Sequence, residues 1–308
     1  MKVAEVTAFG GPEGLRAGER PEPTPGPGEV VVRIHAAAVN PTDIAARAVG
    51  NRYIPDLRLP FVPGWDLAGV VSAVGEGASG YAVGDRVCGM IPFGRIGGRV
   101  GAYAQAAAVQ PEWLAPLPGN VSFEVGATLP LNALTAHQAL AYFAPQTGGR
   151  LLVTGASGGV GGFAVELAVR AGWHVVAVAG RDDQDWVRGL GAHEVLPRDA
   201  DLTRLGPLDA VLDAVPVGPE RSTPALRDGG TAVFTRPPQP GASYRHRFET
   251  VRVETDPVTL GAMARMLGEG ALHTRVSHVL SLGQAAEAHR LAEAGGLRGK
   301  VVLRPWDD

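Results

Sequence analysis

The chain has one cysteine, Cys88, in 308 residues. No disulfide can form within it, and no metal site built from several thiolates is available. Lysine is nearly as scarce, with only Lys2 and Lys300. Work that lysine does elsewhere must fall to arginine here. No apolar run reaches the roughly 20 residues that span a bilayer, so no membrane partner is expected. The net charge of −3 lacks the basic excess that nucleic-acid binding requires. The opening Met1-Lys2-Val3-Ala4-Glu5-Val6 reads as a strand and lacks a signal peptide's apolar core. A cytoplasmic location is the resulting expectation.

What remains is an ordinary globular balance, 45% hydrophobic and 19% charged, in a chain long enough for two domains. Up to Pro118 the pattern is of short strands, at residues 3–9, 29–36, 64–75 and 102–109, joined by proline- and glycine-rich turns. Residues 21–27 place a proline at every second position and cannot join a ladder fully. This texture predicts a small barrel-like β domain. Asn40-Pro41-Thr42-Asp43 reads as a helix entry, with Asn40 and Asp43 placed to cap it.

After Pro118 the texture changes. Helical periodicity runs through 123–129 and 131–143, and then strands and helices alternate. The expected strands are 151–154, 174–179, 194–196, 208–213, 231–234 and 248–254. Alternation of this kind builds a parallel, doubly wound α/β sheet. The first strand ends in Gly155-Ala156-Ser157-Gly158-Gly159-Val160-Gly161, and an apolar helix follows at once. A backbone without side chains admits a pyrophosphate closely, and the helix start offers it unpaired N–H groups. The spacing is close to the dinucleotide fingerprint without being identical to it.

Taken together, the segments 38–43, 63–71, 83–87, 134–136, 153–161, 190–192 and 298–303 resemble the medium-chain dehydrogenase/reductase superfamily, in its zinc-independent quinone oxidoreductase (zeta-crystallin-like) branch. They occur in the family's order and cover nearly the whole chain. The resemblance implies a GroES-like β-barrel catalytic domain from residues 1–120 and 268–308. A Rossmann NADP-binding domain of residues 121–267 is inserted between them. It also implies a homodimer joined through the sixth strand. By the same resemblance Asn40, Asp43 and Tyr53 line the substrate pocket, and Thr135 stands near the nicotinamide ribose.

The residue that ends the second strand bears on the cofactor. An acid there accepts the 2′-hydroxyl of NAD and repels the 2′-phosphate of NADP. Here Ala179-Gly180-Arg181 stands at that place, and arginine suits phosphate through its planar fork of donors. Arg188 and Arg198 fall at later positions from which they too can reach a phosphate. NADPH is therefore the expected cofactor, held by Gly155 to Gly161 with Gly180, Arg181 and Arg198. Asp182 and Asp183 keep ribose binding open, although capping of the next helix is the simpler use of one of them.

The zinc members of the superfamily carry a cysteine where this chain has Asn40, and Gly-His-Glu where it has Gly64-Trp65-Asp66. A catalytic zinc needs three good protein ligands, so no metal is expected. Without a Lewis acid, alkoxide chemistry is disfavoured, whereas a quinone or enone accepts hydride directly. The expected activity is hydride transfer from NADPH to a quinone or α,β-unsaturated carbonyl. An enoyl-thioester reductase, or a non-catalytic NADPH-binding sensor or structural protein, remain open readings. Substrate choice is expected to lie in the segments 93–99 and 237–247.

Overall fold

The computed structural model describes residues 1–144, 148–237 and 246–306. The chain divides into two compact units. The first comprises residues 1–131, 254–271 and 275–308, and the second comprises residues 132–253 and 272–274.

The first unit is organised around the strand Val30–Ala38, whose residues are buried except for Arg33 and His35. Such burial on both faces suits a central strand, and each buried Val or Ile contributes about 1.5–3 kcal/mol. Val30–Ala38 pairs antiparallel with Asp66–Val74, with Ala106–Val109 and with the C-terminal strand Lys300–Arg304. Arg86–Met90 and Leu114–Pro116 extend the sheet on one side, and Val276–Ser281 extends it beyond Lys300–Arg304. Both ends of the chain thus enter one β unit. The helix Pro41–Val49 leaves directly from the end of Val30–Ala38.

The expected boundary at residue 120 moves outward. The short helix Phe123–Ala127 belongs to the first unit because Phe123 stacks on His35 at 4.5 Å and lies 4.0 Å under the Arg86 guanidinium. Arg304 also donates to Glu124 at 2.7 Å. The helix Pro257–Gly268 belongs there as well, since Asn120 donates to the Gly268 carbonyl at 2.7 Å.

The second unit is a six-stranded, wholly parallel sheet. Its order is Glu194–Pro197, His174–Ala179, Arg150–Thr154, Leu208–Asp213, Leu226–Phe234, Arg247–Thr250. That is the doubly wound order, with the first strand central and its neighbours added outward on each side. The fold is therefore α/β, a GroES-like unit and a Rossmann-type unit. The sixth strand is shorter than expected. It ends at Thr250, and the chain then turns into the next helix, where Asp256 accepts the Thr259 N–H at 2.9 Å. The fifth strand begins earlier than expected, at Leu226, across an irregularity in its register with Leu208–Asp213.

Candidate functional site

The glycine turn sits where the strand Arg150–Thr154 meets the helix Gly159–Arg170. Gly155 has φ +62°, and a β-carbon there would overlap the Val215 side chain. A β-carbon at Gly161 would overlap the Gly155 carbonyl, so the helix packs on the turn with no room to spare. Gly158 differs: a β-carbon there would meet only the Gly155 oxygen, at 3.2 Å. The turn is thus tight at Gly155 and Gly161, while at Gly158 only the Gly155 carbonyl is close, beside a helix start whose first N–H groups have no partner within the helix. The residues present fit the pyrophosphate of a dinucleotide.

Its wall is fixed by a buried acid that sequence reading passed over. Asp213, at the end of the neighbouring strand, accepts the Thr154 hydroxyl at 2.6 Å and the Gly218 N–H at 3.2 Å. Burial raises its carboxyl above the ordinary value against the pull of those donors. The clamp holds residues 214–218 so that Val215 packs on Gly155. An acid closing an apolar strand pattern was the available signal.

At the end of the second strand, parallel register pairs Ala179 with Pro197. The residues that follow each strand therefore come side by side. The Arg198 guanidinium lies 3.5–3.7 Å from the place a Gly180 β-carbon would take. Arg181 donates to Asp199 at 3.0 Å. Arg221, which the sequence did not single out, donates to the Arg198 carbonyl. Arg188 is engaged on its own helix, with Asp185 at 2.7 Å and Gln184 at 3.2 Å. Asp183 occupies the N-cap position of the helix Gln184–Gly189, yet its side chain makes no capping bond.

In the first unit, Asn40 and Asp43 have no exposed surface. Asp43 accepts the Asn40 N–H at 2.8 Å, closing a cap on the helix Pro41–Val49. Asn40 Nδ2 donates to Asp66 at 2.9 Å, and Lys300 Nζ donates to Asn40 Oδ1 at 2.6 Å. Asp66 also accepts the Leu131 N–H at 2.9 Å. Burial pushes Asp43 up to about 8 and Asp66 up to about 7, and lowers Lys300. The Asp43 Oδ1 atom makes no close hydrogen bond among the described residues, so the Tyr103 hydroxyl and Trp65 N–H act on it only at longer range. Two carboxyl groups and one amine therefore share a fully buried site. Asn40 and Asp43 thus sit fully buried at the helix entry, where the Asn40 amide and Asp43 Oδ2 bond to the chain itself.

The same helix is held at its other end by Arg47, also fully buried. It donates to the Gly10 carbonyl at 2.5 Å, to His289 Nδ1 at 3.2 Å, and to Glu293. Burial, then Arg47, pushes His289 down to about 3, so the ring is neutral. With Nδ1 accepting, Nε2 carries the proton and faces the Tyr103 hydroxyl at 3.1 Å.

Tyr53 is 45% exposed, and its hydroxyl lies 2.9 Å from that of Thr42 on the first turn of the helix. Thr135, in the second unit, is buried in the helix Pro130–Leu140. Of the segments expected to choose substrate, 93–99 is anchored by a buried Phe93 and by an ion pair of Arg95 with Glu254. The other, 237–247, falls largely outside the described residues.

The donor set does not fit a metal. Asn40 is spent on Asp66 and Lys300, and Trp65 offers no ligand atom. Among the described residues no group of three His, Cys, Asp or Glu side chains is placed to hold one. Cys88 is buried, which pushes its thiol up to about 12 and leaves it inert. Among the same residues no helix is long and apolar enough to cross a membrane.

Comparison with known proteins agrees with this geometry. Residues 26–119 match the alcohol dehydrogenase GroES-like domain, and residues 190–303 match the zinc-binding dehydrogenase family. Quinone-oxidoreductase QR1, chloroplastic, of Triphysaria versicolor is 31% identical over 328 residues, across 99% of this chain and 98% of that protein. The structure of the quinone oxidoreductase from Coxiella burnetii has a TM-score of 0.88 at 27% identity, covering 99% of each chain. That of an NAD-dependent alcohol dehydrogenase has a TM-score of 0.86 at 31% identity, covering 99% of this chain and 100% of that one. The chain belongs to the medium-chain dehydrogenase/reductase superfamily, as an oxidoreductase whose relatives include quinone oxidoreductases.

Proposed function

We propose that this chain is a zinc-independent reductase that uses NADPH to reduce a quinone or an α,β-unsaturated carbonyl. One observation carries the cofactor choice: Arg181 and Arg198 come together beside Gly180, at the strand end where NAD enzymes place an acid. The residues that hold the dinucleotide are Gly155 to Gly161, with Gly180, Arg181 and Arg198. Thr135 serves the nicotinamide ribose. Bound NADPH supplies the hydride.

This chain's own residues manage the charge that follows. Hydride addition leaves a negative oxygen on the acceptor, which must be stabilised and protonated. The exposed hydroxyl pair of Tyr53 and Thr42 is suited to this, because Tyr53 can donate its proton while Thr42 takes up the hydrogen bond. Asn40 and Asp43 act behind it by fixing the helix that carries Thr42. The names of the relatives support the quinone. Enones follow because they share its polarised acceptor carbon. Pairing of edge strands Arg247–Thr250, with Phe248 42% exposed, would join two copies into the proposed homodimer. A cytoplasmic site of action fits a chain with a single buried thiol.

The test is NADPH oxidation with 9,10-phenanthrenequinone, a simple enone and a crotonyl thioester as acceptors. Turnover with the first two supports the reading. Turnover with the thioester alone replaces it with an enoyl-thioester reductase. Tight NADPH binding with no turnover by any acceptor replaces it with a sensor or structural role.

A further inference from the structure

The arginines at the end of the second strand already hold an anion from their own chain. Register places Asp199 beside Arg181, just as it places Arg198 beside Gly180, and the Arg181–Asp199 pair closes at 3.0 Å. Arg221 reaches the same spot, with a hydrogen bond to the Arg198 carbonyl. The Asp199 carboxyl is held below its ordinary value by its own backbone N–H, by Arg181 and by Arg221. Two guanidinium groups, those of Arg181 and Arg221, thus act on one carboxylate, with Arg198 beside Gly180 next to them. The pair is open to water, with Arg181 75% and Asp199 71% exposed. An exposed pair of this kind is weak and is readily exchanged for a better partner. A phosphate dianion, which accepts two hydrogen bonds from one guanidinium, is a better partner.

We infer that Asp199 sets this chain's preference between NADPH and NADH, by occupying as a resident anion the guanidinium groups that the 2′-phosphate must take. The inference rests on the NADPH reading above and adds a residue that opposes it. The carboxylate lowers NADPH affinity in two ways: it must be displaced from Arg181, and once displaced it still repels the phosphate nearby. NADH, with a neutral 2′-hydroxyl, meets neither cost. The cluster is therefore tuned below its full strength for NADPH. That narrows the gap between the two cofactors.

The experiment is calorimetric titration of NADPH and NADH into the intact protein, its Asp199→Asn variant and its Arg181→Ala variant. A carboxylate a few ångströms from a dianion at a wet, moderately salted surface changes affinity by about threefold to tenfold. Asp199→Asn is therefore expected to tighten NADPH by that factor and leave NADH unchanged. The gain should shrink as salt is raised. Arg181→Ala is expected to weaken NADPH. If Asp199→Asn weakens NADPH or leaves it unchanged while Arg181→Ala weakens it, Asp199 only orients Arg181 or does nothing. The inference then fails and the cofactor reading stands. An equal gain for both cofactors also overturns it. If Arg181→Ala leaves NADPH binding intact, the cofactor reading itself fails, and the role of Asp199 with it.

Discussion

The hydroxyls of Tyr53 and Thr42 lie 2.9 Å apart at an exposed position. If Tyr53 donates the proton to the reduced acceptor, Tyr53→Phe lowers kcat by roughly a hundredfold, the lower end of what a positioned acid contributes. NADPH affinity measured by titration should not move. A fall in cofactor affinity instead of kcat would assign Tyr53 to binding. The family's spacing points to Tyr53. Its partner Thr42 was not legible in the sequence, because an eleven-residue separation closes only once the helix and the turn after it are built. The arginines show the same division. Arg181 follows a recognisable strand, whereas Arg221 meets Arg198 across 23 residues of chain that carry no periodic signal.

Two elements carry the residues proposed for function, the glycine turn in the second unit and the helix Pro41–Val49 in the first. In the turn, two substitutions that look alike should behave differently. Gly155→Ala forces a side chain onto a residue at φ +62° and into Val215, so it should lower Tm. Gly158→Val meets only the Gly155 carbonyl and enters the space proposed for the phosphate, so it should cost less Tm than Gly155→Ala and bind neither NADPH nor NADH. Thermal melts read alongside cofactor titration separate the two. Retained binding in Gly158→Val would count against the nucleotide site.

The helix entry makes a pH prediction. Asp43 and Asp66 have folded-state values raised to about 8 and about 7. A raised acid contributes stability below its unfolded value, near 4, and loses it as pH rises through the folded value. From these two groups stability should fall between about pH 4 and pH 8. Lys300, lowered by burial, acts in the opposite sense, adding stability as pH rises through its folded value. Denaturant unfolding across that range tests the sign, and Asp43→Asn should flatten the slope. A slope that Asp43→Asn leaves unchanged would show that other groups set it. In the sequence, Asn-Pro-Thr-Asp announced the cap. Nothing there announced Lys300 as its distant partner, since a contact across 260 residues depends on the C-terminal strand pairing beside Val30–Ala38.

For the whole molecule, the two-unit organisation could be read from texture alone: short strands with proline-rich turns, then strand–helix alternation. The boundaries could not, because stacking of His35 on Phe123 and the bond from Asn120 to Gly268 decide them. Alternating apolar patterns do not encode such contacts. The edge strand Arg247–Thr250 makes the prediction at this scale. Sedimentation should report twice the chain mass, and Phe248→Asp should halve it. A monomeric parent protein would remove the proposed edge pairing.

In the proposed reaction NADPH delivers the hydride and is chosen over NADH by the guanidinium groups at the end of the second strand. The ratio of kcat/KM for NADPH to that for NADH, with 9,10-phenanthrenequinone held at one saturating concentration, tests it most directly. Each charge-assisted hydrogen bond to the 2′-phosphate is worth about 1.5–3 kcal/mol, so the predicted ratio is on the order of tenfold or more in favour of NADPH. A ratio near unity, or one favouring NADH, would contradict it.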